Sequence, residues 1–174
     1  MPIAVLLEVD AETQSMLDAL DNQLARIGGV QTIRQLGAPH HVSLAVYDTL
    51  PEGFEATLRN YSASQKPIAI ELGYTGIFQG DEGVVFLGFA ANLELIQAHR
   101  RFHAEFAAFD SACAPYYRIG AWVPHLTLAI NAKGPARHAA IDIVDEHWKP
   151  RGAKLSAIGL IRHPPVTLLS RQTL

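Results

Sequence analysis

The chain is poor in the features that most often announce a function. It has one cysteine, Cys113, in 174 residues. One thiol excludes an internal disulfide framework and a cysteine-based zinc site, and Cys113 reads as a small packing residue. Charged residues make up only 18 %, with a net charge of −3. That excludes the basic face needed to grip duplex nucleic acid broadly, though not a nucleotide or an RNA end held in a local cleft. No apolar run approaches the roughly 20 residues that span a bilayer, and the N-terminal Ile3–Leu7 run lacks a basic flank. The expectation is a soluble, cytoplasmic protein with no membrane partner. There is no glycine-rich phosphate loop, and no carboxylate pair stands near the motifs described below.

What is present is a hydrophobic fraction of 49 %, enough for a sizeable core, and one short pattern written twice. Pro39-His40-His41-Val42-Ser43-Leu44-Ala45 and Val123-Pro124-His125-Leu126-Thr127-Leu128-Ala129 share His-x-[Ser/Thr]-Leu-Ala. The two histidines lie 84 residues apart, from 41 to 125, so this is not a local repeat. Each copy alternates as a strand does. His41 and Ser43 would share one face, with Val42, Leu44 and Val46 opposite; His125 and Thr127 would share one, with Leu126, Leu128 and Ile130 opposite. His40 then points away from the polar face.

The remaining elements fall in a repeating order. Ile3–Val9 reads as a buried strand, and Asp10 caps a helix running to about Ile27. Strand His41–Tyr47, a helix after Pro51 and strand Ile68–Tyr74 follow. The second half gives strand Val84–Phe89, a helix capped by Asn92, strand Trp122–Ile130 and a helix from Gly134-Pro135. Strands near 153–161 and 166–170 close the chain. Ile3 to His41 is 38 residues and Val84 to His125 is 41. The chain therefore reads as one domain, 1–174, built from a duplicated unit with lobes of roughly 1–78 and 79–174. The fold class is α+β: two pseudo-symmetric lobes of antiparallel sheet, helices outside, and a cleft between that gathers both histidines.

Two imidazoles near neutrality suit concerted acid–base chemistry, one taking a proton from a nucleophile and the other giving one to a leaving oxygen. Two hydroxyls suit the charge of a phosphodiester. No metal or cofactor is expected. These paired motifs on a duplicated α+β unit resemble the 2H phosphoesterase superfamily, which includes the 2′-5′ RNA ligase and RNA 2′,3′-cyclic phosphodiesterase proteins. The resemblance implies a metal-independent phosphoesterase with His41 and His125 as the acid–base pair and Ser43 and Thr127 as phosphate-binding hydroxyls. It implies as substrate a nucleotide or an RNA 3′ end bearing a cyclic phosphate. Ile130 stands where the RNA cyclic phosphodiesterases often carry arginine, and Val46-Tyr47-Asp48 replaces a Phe-Leu-Gly-like run. A small cyclic phosphate or nucleotide derivative therefore fits equally.

Tyr117 and Arg118, on the loop before the second motif, are further candidates: a ring for a base and a guanidinium for a phosphate. Arg34 is a weaker one. His99 and His103 stand four apart on a helix, but Arg100 and Arg101 beside them would repel a cation. The competing functional readings are a non-catalytic nucleotide or RNA-end binding protein using the same cleft, and a histidine-based metal hydrolase.

Overall fold

A computed structural model describes residues 1–174. β1 spans Ile3–Val9, α1 Ala11–Leu24, β2 Gln31–Thr32, β3 His41–Tyr47, α2 Phe54–Ala63 and β4 Ile68–Ile77. β5 spans Val85–Phe89, α3 Leu93–Glu105, β6 His125–Ile130, α4 Pro135–His147, β7 Arg151–Arg162 and β8 Thr167–Thr173. Two short 3₁₀ turns, Ala107–Ala112 and Pro115–Tyr117, lie between α3 and β6.

The local signals act where chemistry places them. Asp10 caps α1 by accepting from the Thr13 backbone N–H at 2.9 Å, and Asn92 caps α3 by accepting from Leu95 N–H at 2.8 Å. Pro135 opens α4, where its missing N–H costs nothing. Several boundaries differ from expectation: β6 begins at His125 rather than Trp122, and β4 runs on to Ile77 rather than ending at Tyr74. α1 stops at Leu24 rather than Ile27, because the last residues tighten into turns. α2 begins at Phe54, three residues after Pro51, because Gly53 at φ 82° supplies the left-handed residue before it.

All eight strands form one antiparallel sheet in the order β2-β6-β5-β4-β7-β1-β3, with β8 also on β7. In that order β3-β1-β7 mirrors β6-β5-β4; β4, from the first half, pairs with β5 of the second, and β7, from the second half, pairs with β1 of the first. β4 and β7 pair with each other along Ile68–Leu72 and Arg151–Leu155, which joins the two groups into one sheet.

One face of the sheet carries the helices and the core, including Val5, Leu7, Leu44, Leu87, Leu128 and Leu160, with Leu17, Leu58, Leu95 and Val144 packed from the helices. A run of rings, Tyr47, Phe54, Phe106, Phe102 and Tyr61, continues it with centroids 4.3–5.6 Å apart. The other face carries a small patch of Ala4, Leu6 and Ile161 and is otherwise open to the motif residues.

Candidate active site

The motif strands bend in the same way. In β3, Val5 pairs with Ala45 and Leu6 with Ser43, so Leu44 has no partner on β1. In β6, Val85 pairs with Ala129 and Phe86 with Thr127, so Leu128 has none on β5. Each motif therefore bulges at its leucine. Up to the bulge the alternation is as expected: Val42, Leu44, Leu126 and Leu128 are buried, while His41, Ser43, His125 and Thr127 are half-buried. Beyond it the alternation inverts, which corrects the expectation for Val46 and Ile130. Both are half-buried, and Ala45 and Ala129 are buried in their place.

The two histidines are anchored alike. His41 Nδ1 lies 2.6 Å from the Pro39 carbonyl oxygen, and His125 Nδ1 lies 2.8 Å from that of Val123. A carbonyl only accepts, so each Nδ1 carries its hydrogen and each neutral ring keeps Nε2 as a free acceptor. Burial pulls His41 down to about 4. The Pro39 hydrogen bond opposes this, and charge on His40, His125 and His163 adds to it. Burial also lowers His125, with the Val123 bond opposing. His125 and His163 thus both lie near enough to act on His41 electrostatically.

Contacts across the gap fix the two motifs together. Trp122 Nε1 donates to the Ser43 carbonyl at 2.9 Å, and Ala114 N–H donates to Val46 O at 2.8 Å, occupying the outer edge of β3. Trp122 lies flat on His99, centroids 3.9 Å apart and planes 1° apart. The buried His99 donates from Nε2 to the Tyr117 carbonyl at 2.8 Å. Burial pulls His99 down to about 4. Tyr117 is half-buried; burial pushes its phenol up, and the Glu82 charge adds. The Pro115–Tyr117 turn packs against β3, which carries the first motif.

Arg118 is placed differently. Its Nε and Nη2 donate to the Cys113 carbonyl at 2.9 and 2.7 Å, and Nη2 also reaches Ser111 O. Those bonds hold its own loop rather than offering a fork to a phosphate. Arg34 turns Nη1 toward Asn22. His103 is bound to Asp110 at 2.5 Å, so the His99/His103 pair is committed to structure.

The sequence reading missed an aromatic wall around His125. The Phe78 and Phe86 rings meet the imidazole edge-on at 4.7 and 5.4 Å. β4 and β5 alternate large and small across the pair: Gly76 opposes Phe86, and Gly88 opposes Tyr74. A Cβ at Gly76 would fall within 2.3 Å of the Phe86 ring, and one at Gly88 within 2.1 Å of Tyr74. The signal was present as Tyr74-x-Gly76-x-Phe78 and Phe86-x-Gly88, a period of two. Also missed was buried Glu8, which pairs with His41 in register and so shares its face. Glu8 accepts from Arg171 Nε at 2.7 Å and lies over Gly159.

The sequence profile described as the 2′-5′ RNA ligase superfamily matches residues 17–166. No curated protein sequence matches the chain. Among solved structures, Thermus thermophilus TT0787 superposes with a TM-score of 0.67 at 19 % identity, covering 100 % of this chain and 98 % of its own. E. coli LigT complexed with 3′-AMP gives 0.67 at 18 %, covering 100 % and 99 %. Kluyveromyces marxianus Usb1 gives 0.51 at 12 %, covering 99 % and 97 %. At these identities the structures speak for the fold, while the profile spans most of the sequence. The chain belongs to the 2′-5′ RNA ligase superfamily, a 2H phosphoesterase family of phosphoesterases and RNA ligases.

Proposed function

We propose that the protein hydrolyses a cyclic phosphate, or a 2′-linked phosphodiester, on a nucleotide or RNA end by two-histidine acid–base catalysis. The observation that carries this reading is the matched anchoring of His41 and His125: each Nδ1 is tied to the carbonyl two residues earlier, and each Nε2 is left for a substrate. A hydroxyl two residues on, Ser43 or Thr127, shares each imidazole's face.

In the reaction, one neutral Nε2 takes a proton from water as its oxygen attacks phosphorus. The other ring, protonated, gives its proton to the departing ribose oxygen as the ring P–O bond breaks. Atoms and charge balance, and the site ends with the two imidazole roles exchanged. Ser43 and Thr127 donate to the non-bridging oxygens, where negative charge grows in the transition state. The wall of Phe78, Phe86 and exposed Tyr74 supplies apolar faces beside the phosphate for a base or ribose. That E. coli LigT has been crystallised with 3′-AMP supports a nucleotide in this fold's cleft.

The test is incubation with 2′,3′-cyclic AMP, and with a short RNA ending in a 2′,3′-cyclic phosphate, in excess EDTA. The proposal requires turnover of at least one, to a single 2′- or 3′-phosphate product. Saturable binding without turnover of either would overturn catalysis in favour of a binding protein with the same cleft.

A further inference from the structure

One cluster of titratable groups lies outside the cleft, behind the first motif. His40 and Asp21 are 0 % and 1 % exposed. His40 Nε2 stands 3.3 Å from Asp21 Oδ2 without hydrogen-bond alignment, and neither ring nitrogen of His40 has a protein hydrogen-bond partner. Asp21 Oδ1 is likewise shielded and unpartnered. Half-buried Asp18 stands one helical turn before Asp21 on the same face of α1. Ligand atoms of the three residues all lie within 4.8 Å of one another.

The surrounding bonds orient this group. Gln14 bridges it: Nε2 donates to Asp18 Oδ1 at 2.8 Å, and Oε1 accepts from His40 N–H at 2.9 Å. Arg34 N–H donates to Asp21 Oδ2 at 3.2 Å, while its guanidinium turns to Asn22. Each carboxylate is thus held by one oxygen and keeps another, the arrangement that supporting hydrogen bonds impose on metal ligands.

We propose that Asp18, Asp21 and His40 bind one divalent cation of the zinc class as a structural site. One imidazole and two carboxylates match that class better than calcium or magnesium, which favour oxygen alone. Two carboxylates balance the charge of the ion. Metal–ligand distances near 2.0–2.2 Å need the donors somewhat closer than they stand, and Asp18, at the rim, has room to close. A cavity of about 580 Å³ lined by Gln14, Asp18, Arg34 and Pro39 reaches the site at Asp18, its rim. The ion would tie α1 to the segment ending in Pro39, whose carbonyl orients His41. It takes no part in the cleft chemistry, so turnover in EDTA is compatible with it, and its failure would leave the two-histidine proposal standing.

The experiment is titration of zinc alone into the chelator-stripped full chain, by calorimetry and by thermal unfolding, with cobalt(II) absorption as a second reading of the ligand set. The proposal predicts one ion per chain and an unfolding midpoint raised by about 5–10 °C at a hundredfold excess over the dissociation constant. Asp18→Asn, isosteric and at the rim, should weaken binding at least about tenfold and remove both the midpoint shift and the cobalt spectrum. His125→Ala should change neither. No zinc binding, binding untouched by Asp18→Asn, or binding lost in His125→Ala would each overturn it; in the last case the ion sits in the cleft.

Discussion

A histidine on a strand has two ring nitrogens, and its own backbone decides which one is free. At His41 and His125 the carbonyl two residues back takes Nδ1 in both cases, so the motif delivers Nε2 with its tautomer already set. That much follows from residues that were legible as a pair. What the sequence did not give away is the burial that lowers both rings. With both below the ordinary value near 6.5, the free protein holds both neutral at pH 7. On the proposed mechanism, the charge of a bound phosphodiester would favour the imidazolium the acid needs. The pH profile of kcat/KM should therefore be bell-shaped with its alkaline limb already falling below pH 6.5, and that of kcat should lie to its alkaline side; a kcat/KM that climbs steadily through pH 8 would contradict this. The same depression bears on stability. A histidine whose folded pKa lies below its unfolded value resists protonation in the fold, so stability is full above about 6.5 and is lost as pH falls toward about 4. His41 and His99 both act in that window. Urea midpoints should drop between pH 7 and pH 4.5, and His99→Phe should lessen the drop. On the proposed mechanism Ser43→Ala and Thr127→Ala would each remove a donor to charged oxygen, worth about 1.5–3 kcal/mol, and should lower kcat/KM about 10–100-fold.

At the scale of elements, the sequence was most legible where periodicity and caps agree. The Asp10 and Asn92 caps, the Ile3–Val9 and His41–Tyr47 strands and the helix opening at Pro135 are where the pattern placed them. The bulges were not legible. Leu44 and Leu128 look like any other inward residue, and only the partner strand's register shows each to be extra. Their effect is to keep the motif hydroxyl on the polar face while the next alanine turns inward. The aromatic wall was written as a period-two alternation of rings and glycines, a signal whose meaning depends on which strand lies opposite. Gly76→Ala tests it. The new methyl would overlap the Phe86 ring, 6 % exposed and in contact with His125, and should cost about 1–3 kcal/mol in urea unfolding. It should also lower kcat/KM more than Gly28→Ala, whose Cβ meets nothing and whose backbone is not left-handed.

The whole molecule is built on one sheet in which the groups β3-β1-β7 and β6-β5-β4 each carry one motif strand. The order of the elements was legible, but the pairing of β4 with β5 and of β7 with β1 was not, because every strand here pairs by its burial pattern and several pairings satisfy it. Trp122 is the clearest tie between the halves: three residues before His125, it holds the backbone of Ser43 and stacks on His99. Trp122→Phe keeps most of the ring and removes one hydrogen bond across the cleft. It should cost about 1 kcal/mol of stability, yet depress kcat more than that loss alone would, because the two motifs are no longer held in register. Equal kcat in the variant would show that the sheet alone sets the spacing.

The central claim is that the two histidines work as one unit without a metal in the chemistry. The most direct measurement is single-turnover cleavage of a 2′,3′-cyclic nucleotide in excess EDTA by the native chain, His41→Ala, His125→Ala and the double variant. The account predicts that each single change lowers the rate about 10²–10⁴-fold and that the double is little worse than the slower single, as for groups acting in one step. Losses that multiply in the double variant, or a rate untouched by either change, would contradict it.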